Sequence, residues 1–259
     1  MYAFFRSLWV WFAISLLLIL WLPLLAVIRL FDRDPVRYRT GRWFRRVGVM
    51  MTKVVPTWRF HVVGADTVTD PRRPYVVVSN HQSFADIPII SRLPWEMKWV
   101  AKQAVFKVPF GGWMMRLAGD IEVKRDCHLS RGGVLPQARW YLDRHCSVMF
   151  FPEGTRSHDA LVSRFHDGAF RLAIEAQAPV LPLALDGTMN CLPKHSWILR
   201  GISDIRLQVL PPVETKGLTD ADIGALRDRV RQMIMRQVAA WRGVDPAEVD
   251  GGKIAKSEK

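Results

Sequence analysis

Cysteine is scarce in this chain: three residues among 259, Cys127, Cys146 and Cys191, and no CxxC pair. An odd, scattered set argues against a disulfide framework and fits a reducing compartment. Metal-ligand spacing is missing too. His61, His128, His145, His158, His166 and His195 form no HExxH arrangement, so no structural zinc is expected. Neither GxxxxGK[ST] nor GxGxxG occurs, which removes the two common nucleotide cradles. Acidic side chains are the minority, 24 against 37 Lys plus Arg, for a net charge of +13. That balance points to a polyanionic partner, either nucleic acid or an anionic membrane surface. The length suits one large α/β domain, or one domain plus an anchor.

Charge is absent altogether from "SLWVWFAISLLLILWLPLLAVI", Ser7 to Ile28. As a helix this run would be about 33 Å long, enough for a hydrocarbon core of about 30 Å. It exceeds a signal-peptide core, and no A-x-A-like cleavage site comes after it. Pro23 leaves open a re-entrant or oblique insertion instead of a clean span. Arg29, Arg33, Arg37, Arg39, Arg42, Arg45, Arg46 and Lys53 come next, with only Asp32 and Asp34 opposing them. The positive-inside bias therefore places the chain beyond Arg29 on the cytoplasmic side of a cell inner membrane. Residues 37–55 alternate basic side chains with Trp43, Phe44, Val47, Met50 and Met51, as an amphipathic helix among anionic headgroups would. Because the cations cluster beside the apolar run and no nucleic-acid motif appears, anionic membrane lipids are the expected partner and nucleic acid is not.

From residue 58 onward the pattern turns globular. Strand-like runs lie at 59–64, 75–79, 97–101, 120–124, 147–151, 180–185 and 205–210. Helical stretches fall at 86–92, 110–118, 130–144, 167–177 and 219–242. The alternation predicts an α/β fold, a mixed and mostly parallel sheet covered by helices, behind an N-terminal membrane-inserted helical segment. The expected divisions are an anchor over 1–56, a globular domain over 57–242 and a flexible polar tail over 243–259.

In "VVVSNHQSFADIP" a β-branched run gives way to His81, with Asp86 five positions on. On one continuous helix these two side chains would point apart. They meet only if His81 sits in the turn leaving the strand, an arrangement suited to a base whose second N–H is held by a carboxylate. A turn histidine beside an ordinary N-cap remains the alternative. Further on, "FFPEGTRSH" ends a strand in a Pro-Glu-Gly turn followed by Thr155 and Arg156.

Asn80, His81 and Asp86 as N-H-x-x-x-x-D, then Phe151 to Ser157 as F-P-E-G-T-R-S, make the chain resemble the glycerolipid acyltransferases related to bacterial lysophosphatidate (1-acylglycerol-3-phosphate) acyltransferase. "AKQAVFKVPFGG", with Lys102, Pro109 and Gly111, resembles that family's lysine-containing block. "GDIEVKR" resembles its glycine-isoleucine-arginine block through Gly119, Ile121 and Arg125, although Glu122 stands where the family has an apolar residue. "RFHDGAF" has His166 in place of a family lysine, and "PVLPLAL" supplies the late proline, Pro182.

The resemblance implies that His81, polarised by Asp86, deprotonates the free hydroxyl of a lysophospholipid, which attacks acyl-CoA or acyl-acyl carrier protein. No further cofactor is implied, and the cysteines are expected to be structural. It also implies that Arg156, with Thr155 and Gly154, receives a phosphate. Glu153 would contact the acceptor or hold Arg156. Lys102 and Arg125 would be second-rank phosphate contacts. The alternatives are another lysolipid acceptor on the same fold, or a non-enzymatic anionic-membrane binding protein.

Overall fold

The computed structural model describes residues 2–123, 133–192, 196–199 and 201–252. Seven strands form one sheet in the order β1-β7-β6-β2-β5-β3-β4. They are β1 (Trp58–Val63), β2 (Val76–Ser79), β3 (Met97–Lys102), β4 (Ile121–Val123), β5 (Ser147–Phe150), β6 (Val180–Asp186) and β7 (Ser203–Val209). The run from β6 to β4 is parallel, β7 lies antiparallel to β6, and β1 pairs parallel with β7. The mixed, mostly parallel sheet therefore stands as the sequence pattern predicts. β4 lies at the sheet edge, where half-buried Glu122 meets Arg116 at 3.8 Å. An edge position is why a carboxylate is tolerated in that strand.

Side chains of the central strands alternate between two cores, as the two-residue period of a strand requires. Val76, Val78, Val148 and Phe150 pack beneath α6 (Val134–Leu142), α7 (Gly168–Ala176) and α8 (Ile223–Arg242). Val77, Met149, Leu181 and Leu183 face α3 (Asp86–Ile90) on the other side. A short helix, α4 (Gln103–Phe106), precedes α5 (Gly111–Ala118). It has no apolar period of its own to announce it.

The apolar N-terminus is a single helix, α1 (Tyr2–Phe31), followed by α2 (Tyr38–Val54). α1 meets the domain at several points along its length. Near its start, Ser7 Oγ accepts the Leu199 N–H at 2.9 Å, and Val10 packs with Val55, Leu192 and Leu199. Farther on, Leu25 packs with Val47 of α2 and Met114 of α5. Its other side, including Leu8, Trp9, Phe12, Leu20, Leu24 and Val27, is exposed.

α2 differs from an exposed headgroup helix. Beside Val47, its buried residues are small or polar: Thr40, Gly41, Arg45, Gly48 and Thr52. A Cβ on Gly41 would fall 2.0 Å from the Glu96 carboxylate, so only glycine allows this approach. Arg45 reaches Asp120 and lies 3.6 Å from Glu96, while Lys98 donates to Glu96 at 3.0 Å and to the Ala118 carbonyl at 2.8 Å. α2 is thereby fastened into the domain by a buried charge cluster. Residues 243–252 also depart from the expected flexible tail. Val249 is buried, the Val162 N–H donates to its carbonyl at 2.9 Å, and Arg231 pairs with Asp250 at 2.5 Å.

Candidate active site

Because β2, β5, β3 and β4 run parallel, their carboxyl ends share one edge of the sheet. His81 follows β2 at this edge, Glu153 follows β5, and Lys102 ends β3. Loops at such an edge are the usual seat of chemistry in open α/β sheets.

His81 and Asp86 meet. His81 Nδ1 lies 2.7 Å from Asp86 Oδ2. The same oxygen accepts the backbone N–H groups of Gln82 at 2.7 Å and Ser83 at 3.1 Å. The spacing of five works because the chain doubles back before α3 begins at Asp86. A carboxylate only accepts, so Nδ1 carries the proton and Nε2 keeps the basic lone pair. The imidazole stacks on Phe151, centroids 3.9 Å apart and planes 16° apart. Asp86 is buried and the His81 ring is slightly open to solvent.

The loop around His81 is held by side chains that replace missing strand bonds. Asn80 Oδ1 accepts the Leu185 N–H at 2.9 Å, and its Nδ2 donates to the Leu185 carbonyl at 2.8 Å, extending the β2–β6 pairing by one residue. Gln82 Nε2 donates to Asp186 at 3.0 Å, and Ser83 Oγ to the Leu192 carbonyl at 2.9 Å.

The Pro-Glu-Gly turn locks onto the same loop. Glu153 Oε1 accepts the His81 N–H at 2.8 Å, and Oε2 accepts the Ser163 N–H at 3.1 Å. The Ser157 N–H returns a bond to the His81 carbonyl at 2.8 Å. Glu153 is 5% exposed, and burial pushes its carboxyl up to about 7 despite those bonds. Both oxygens thus grip backbone amides, one of them that of His81. Gly154 takes φ +69°, and a Cβ there would meet the His166 ring at 3.3 Å. Thr155 is exposed. The Arg156 guanidinium lies 4.0 Å over the ring of Phe84, inside the His81–Asp86 loop. The two sequence motifs thus form one structure.

Lys102 is exposed at the carboxyl end of β3, on the same sheet edge. Arg125, Cys127, His128 and His195 lie outside the described residues. Burial pushes the thiols of Cys146 and Cys191 up to about 12, which suits packing and not nucleophilic attack. Among the described residues, no three His, Cys, Asp or Glu side chains cluster to hold a metal ion.

A family model described as Acyltransferase matches residues 59–186, a stretch containing both motifs. Residues 59–186 belong to the acyltransferase family. The 1-acyl-sn-glycerol-3-phosphate acyltransferase alpha of Mus musculus is 34% identical over 188 residues, covering 72% of this chain and 65% of that protein. The Saccharomyces cerevisiae 1-acyl-sn-glycerol-3-phosphate acyltransferase is 31% identical over 179 residues, 67% of this chain and 58% of that one. Among the first curated relatives matched, the chain spans from 46% to 65% of their length. The crystal structure of the 1-acyl-sn-glycerophosphate acyltransferase PlsC from Thermotoga maritima superposes with a TM-score of 0.78 at 24% identity, over 92% of this chain and 95% of that one. That likeness shows a shared fold.

The candidate site also draws on residues beyond the matched stretch. Arg242 of α8 pairs with Asp186 at 2.6 Å and donates to the Ala160 carbonyl at 2.8 Å. Arg231 donates to the carbonyls of Ser163 and Val162 at 2.9 and 2.6 Å. The loop whose Ser163 N–H engages Glu153 is thus supported from α8. No local pattern marks these arginines apart from the surface cations beside them.

Proposed function

We propose that this acyltransferase moves a fatty acyl group from an acyl thioester to the free hydroxyl of lysophosphatidate, giving phosphatidate for phospholipid synthesis. The observation that carries this reading is the His81–Asp86 pair, held in a loop whose Phe84 underlies the Arg156 guanidinium. His81 Nε2 takes the hydroxyl proton as that oxygen attacks the thioester carbonyl. The tetrahedral intermediate then expels the thiolate, which recovers a proton from the imidazolium, and Asp86 stabilises that cation throughout. Arg156 offers a planar fork of donors to the acceptor's phosphate. The donor is acyl-CoA or acyl-acyl carrier protein. Lys102 at the same edge is a candidate contact for its phosphates, and Arg125 remains a candidate from the sequence pattern alone.

The enzyme works at the cytoplasmic face of the inner membrane, with α1 lying along one leaflet. A spanning helix cannot keep contacts to the domain near both Ser7 and Leu25 without drawing the domain into hydrocarbon. A helix in the plane keeps those contacts and turns its exposed side to lipid.

The test is thiol release by the full chain, with lysophosphatidate, lysophosphatidylglycerol, glycerol 3-phosphate and a lyso-aminolipid as acceptors. Lysophosphatidate is expected to be acylated fastest. Arg156→Ala is expected to raise its KM more than that of the donor, with Arg156→Lys recovering part of the loss. Faster turnover of a phosphodiester or lyso-aminolipid acceptor would overturn the assignment.

A further inference from the structure

Between α4 and α5 the chain presents a small apolar tip that the reaction does not use. Val108 and Trp113 are 51% and 50% exposed. Phe110 lies half-buried against Trp113, ring centroids 5.3 Å apart. Scattered exposed apolar residues are ordinary on any protein surface. Three features set this group apart.

First, the tip is rigid. The Gly112 N–H donates to the Val108 carbonyl at 2.8 Å, and Arg116 Nη1 donates to the Phe106 carbonyl at 2.7 Å. Gly112 packs so closely that a Cβ would fall 2.1 Å from the Phe106 carbonyl oxygen. Phe110 is held at φ +58°, an unfavourable conformation for a residue with a side chain. Second, the tip adjoins α1. Met114, next to Trp113 in α5, and Leu117, one turn beyond it on the same face, pack into the cluster formed with Leu17, Leu18, Trp21, Leu22 and Leu25 of α1. Third, cations flank the tip along the chain: exposed Lys102 precedes α4, Lys107 precedes Val108, and Arg116 lies one turn after Trp113 on α5, 3.8 Å from Glu122. Aromatic and aliphatic side chains flanked by cations suit the boundary between acyl chains and anionic headgroups.

We infer that Val108, Phe110 and Trp113 form a second lipid-inserting element beside α1, entering an anionic bilayer next to the sheet edge that carries His81. The inference rests on the membrane placement of α1 proposed above. Continuity with α1's exposed apolar side favours lipid over an acidic carrier protein, which the same lysines would also attract. Two separate contacts fix the protein's rotation about α1 as well as its depth, so the catalytic edge keeps a constant tilt to the leaflet.

The test uses the full chain carrying Cys127→Ser, with single cysteines introduced as Val108→Cys, Leu20→Cys or Gln232→Cys and labelled with an environment-sensitive fluorophore. Cys146 and Cys191 are buried and shielded from the label. Gln232 is exposed on α8, across the sheet from α3. With phosphatidylglycerol–phosphatidylethanolamine vesicles, labels at 108 and 20 are expected to shift to the blue and be quenched by spin-labelled lipid, while the label at 232 does neither. Val108→Ser with Trp113→Ser is expected to lower vesicle affinity about tenfold, from lost apolar burial. A label at 108 that stays aqueous while that at 20 inserts overturns this inference alone. If both stay aqueous, the membrane reading falls with it. A response at 108 to acidic acyl carrier protein but not to vesicles overturns the lipid assignment.

Discussion

Glu153 Oε1 accepts the backbone N–H of His81 at 2.8 Å. One motif's acidic side chain therefore sets the position of the other motif's base. Both carboxylate oxygens act as acceptors, so Glu153→Gln must turn an NH2 group toward one of two N–H donors. Losing a bond to a charged acceptor costs about 1.5–3 kcal/mol. Turnover of Glu153→Gln is expected to fall roughly 10- to 100-fold with a smaller change in acceptor KM, checked by steady-state kinetics. Wild-type kcat in Glu153→Gln would falsify the positioning role.

The same carboxyl carries a pH signature. Burial raises it from its ordinary 4.5 to about 7, so the folded state binds its proton more tightly than the unfolded chain. The burial penalty is therefore absent below pH 4.5, grows as pH rises, and is complete above about 7. In Glu153→Gln that contribution is gone. Thermal unfolding from pH 4.5 to 7.5 is expected to show wild type losing stability relative to the variant; parallel curves would refute the buried titration.

His81→Ala is expected to lower turnover by at least about 10² to 10⁴ while leaving folding and vesicle binding intact. Asp86→Asn keeps the shape but can offer an NH2 to Nδ1, which disrupts both the tautomer and the grip on the Gln82 and Ser83 N–H groups. Its kcat is expected to fall severely. Substantial activity in His81→Ala with any acceptor that the wild type uses would end the general-base assignment.

Phe84 supports the Arg156 guanidinium at 4.0 Å. Stacking of this kind is worth about 0.5–2 kcal/mol. Phe84→Leu is expected to raise the lysophosphatidate KM about 2- to 30-fold, leave the donor KM unchanged, and be rescued by Phe84→Tyr. Equal KM values for the leucine and tyrosine variants would show that the ring does not orient Arg156.

Arg45 is buried between Asp120 and Glu96. Removing one partner of a buried ion cluster leaves uncompensated charge, at a cost of about 3–5 kcal/mol. Arg45→Ala is expected to unfold at distinctly lower urea concentration than Arg46→Ala. Equal midpoints for the two variants would place Arg45 among the surface cations.

The sequence by itself determined the strands and most of the longer helices, and it left a His81–Asp86 pair as one of two open readings. These rest on local chemistry: β-branched runs, three-to-four-residue apolar spacing, and a spacing of five that works only through a turn. Tertiary structure decided the rest. Glu153's partners are backbone N–H groups, and an amide brought in from another loop leaves no mark in composition. α4 is a single short turn and the packed segment 243–252 is polar, and both are held by partners outside themselves, such as Arg116 to the Phe106 carbonyl and Arg231 to Asp250. Arg45 and Arg46 are adjacent cations on one helix, and alternation with apolar residues looks the same whether a guanidinium meets lipid phosphate or Asp120. Only the glycine contact at Gly41 and the placement of β3 and β4 bring the carboxylates to Arg45, because burial is a property of neighbours and not of the residue buried.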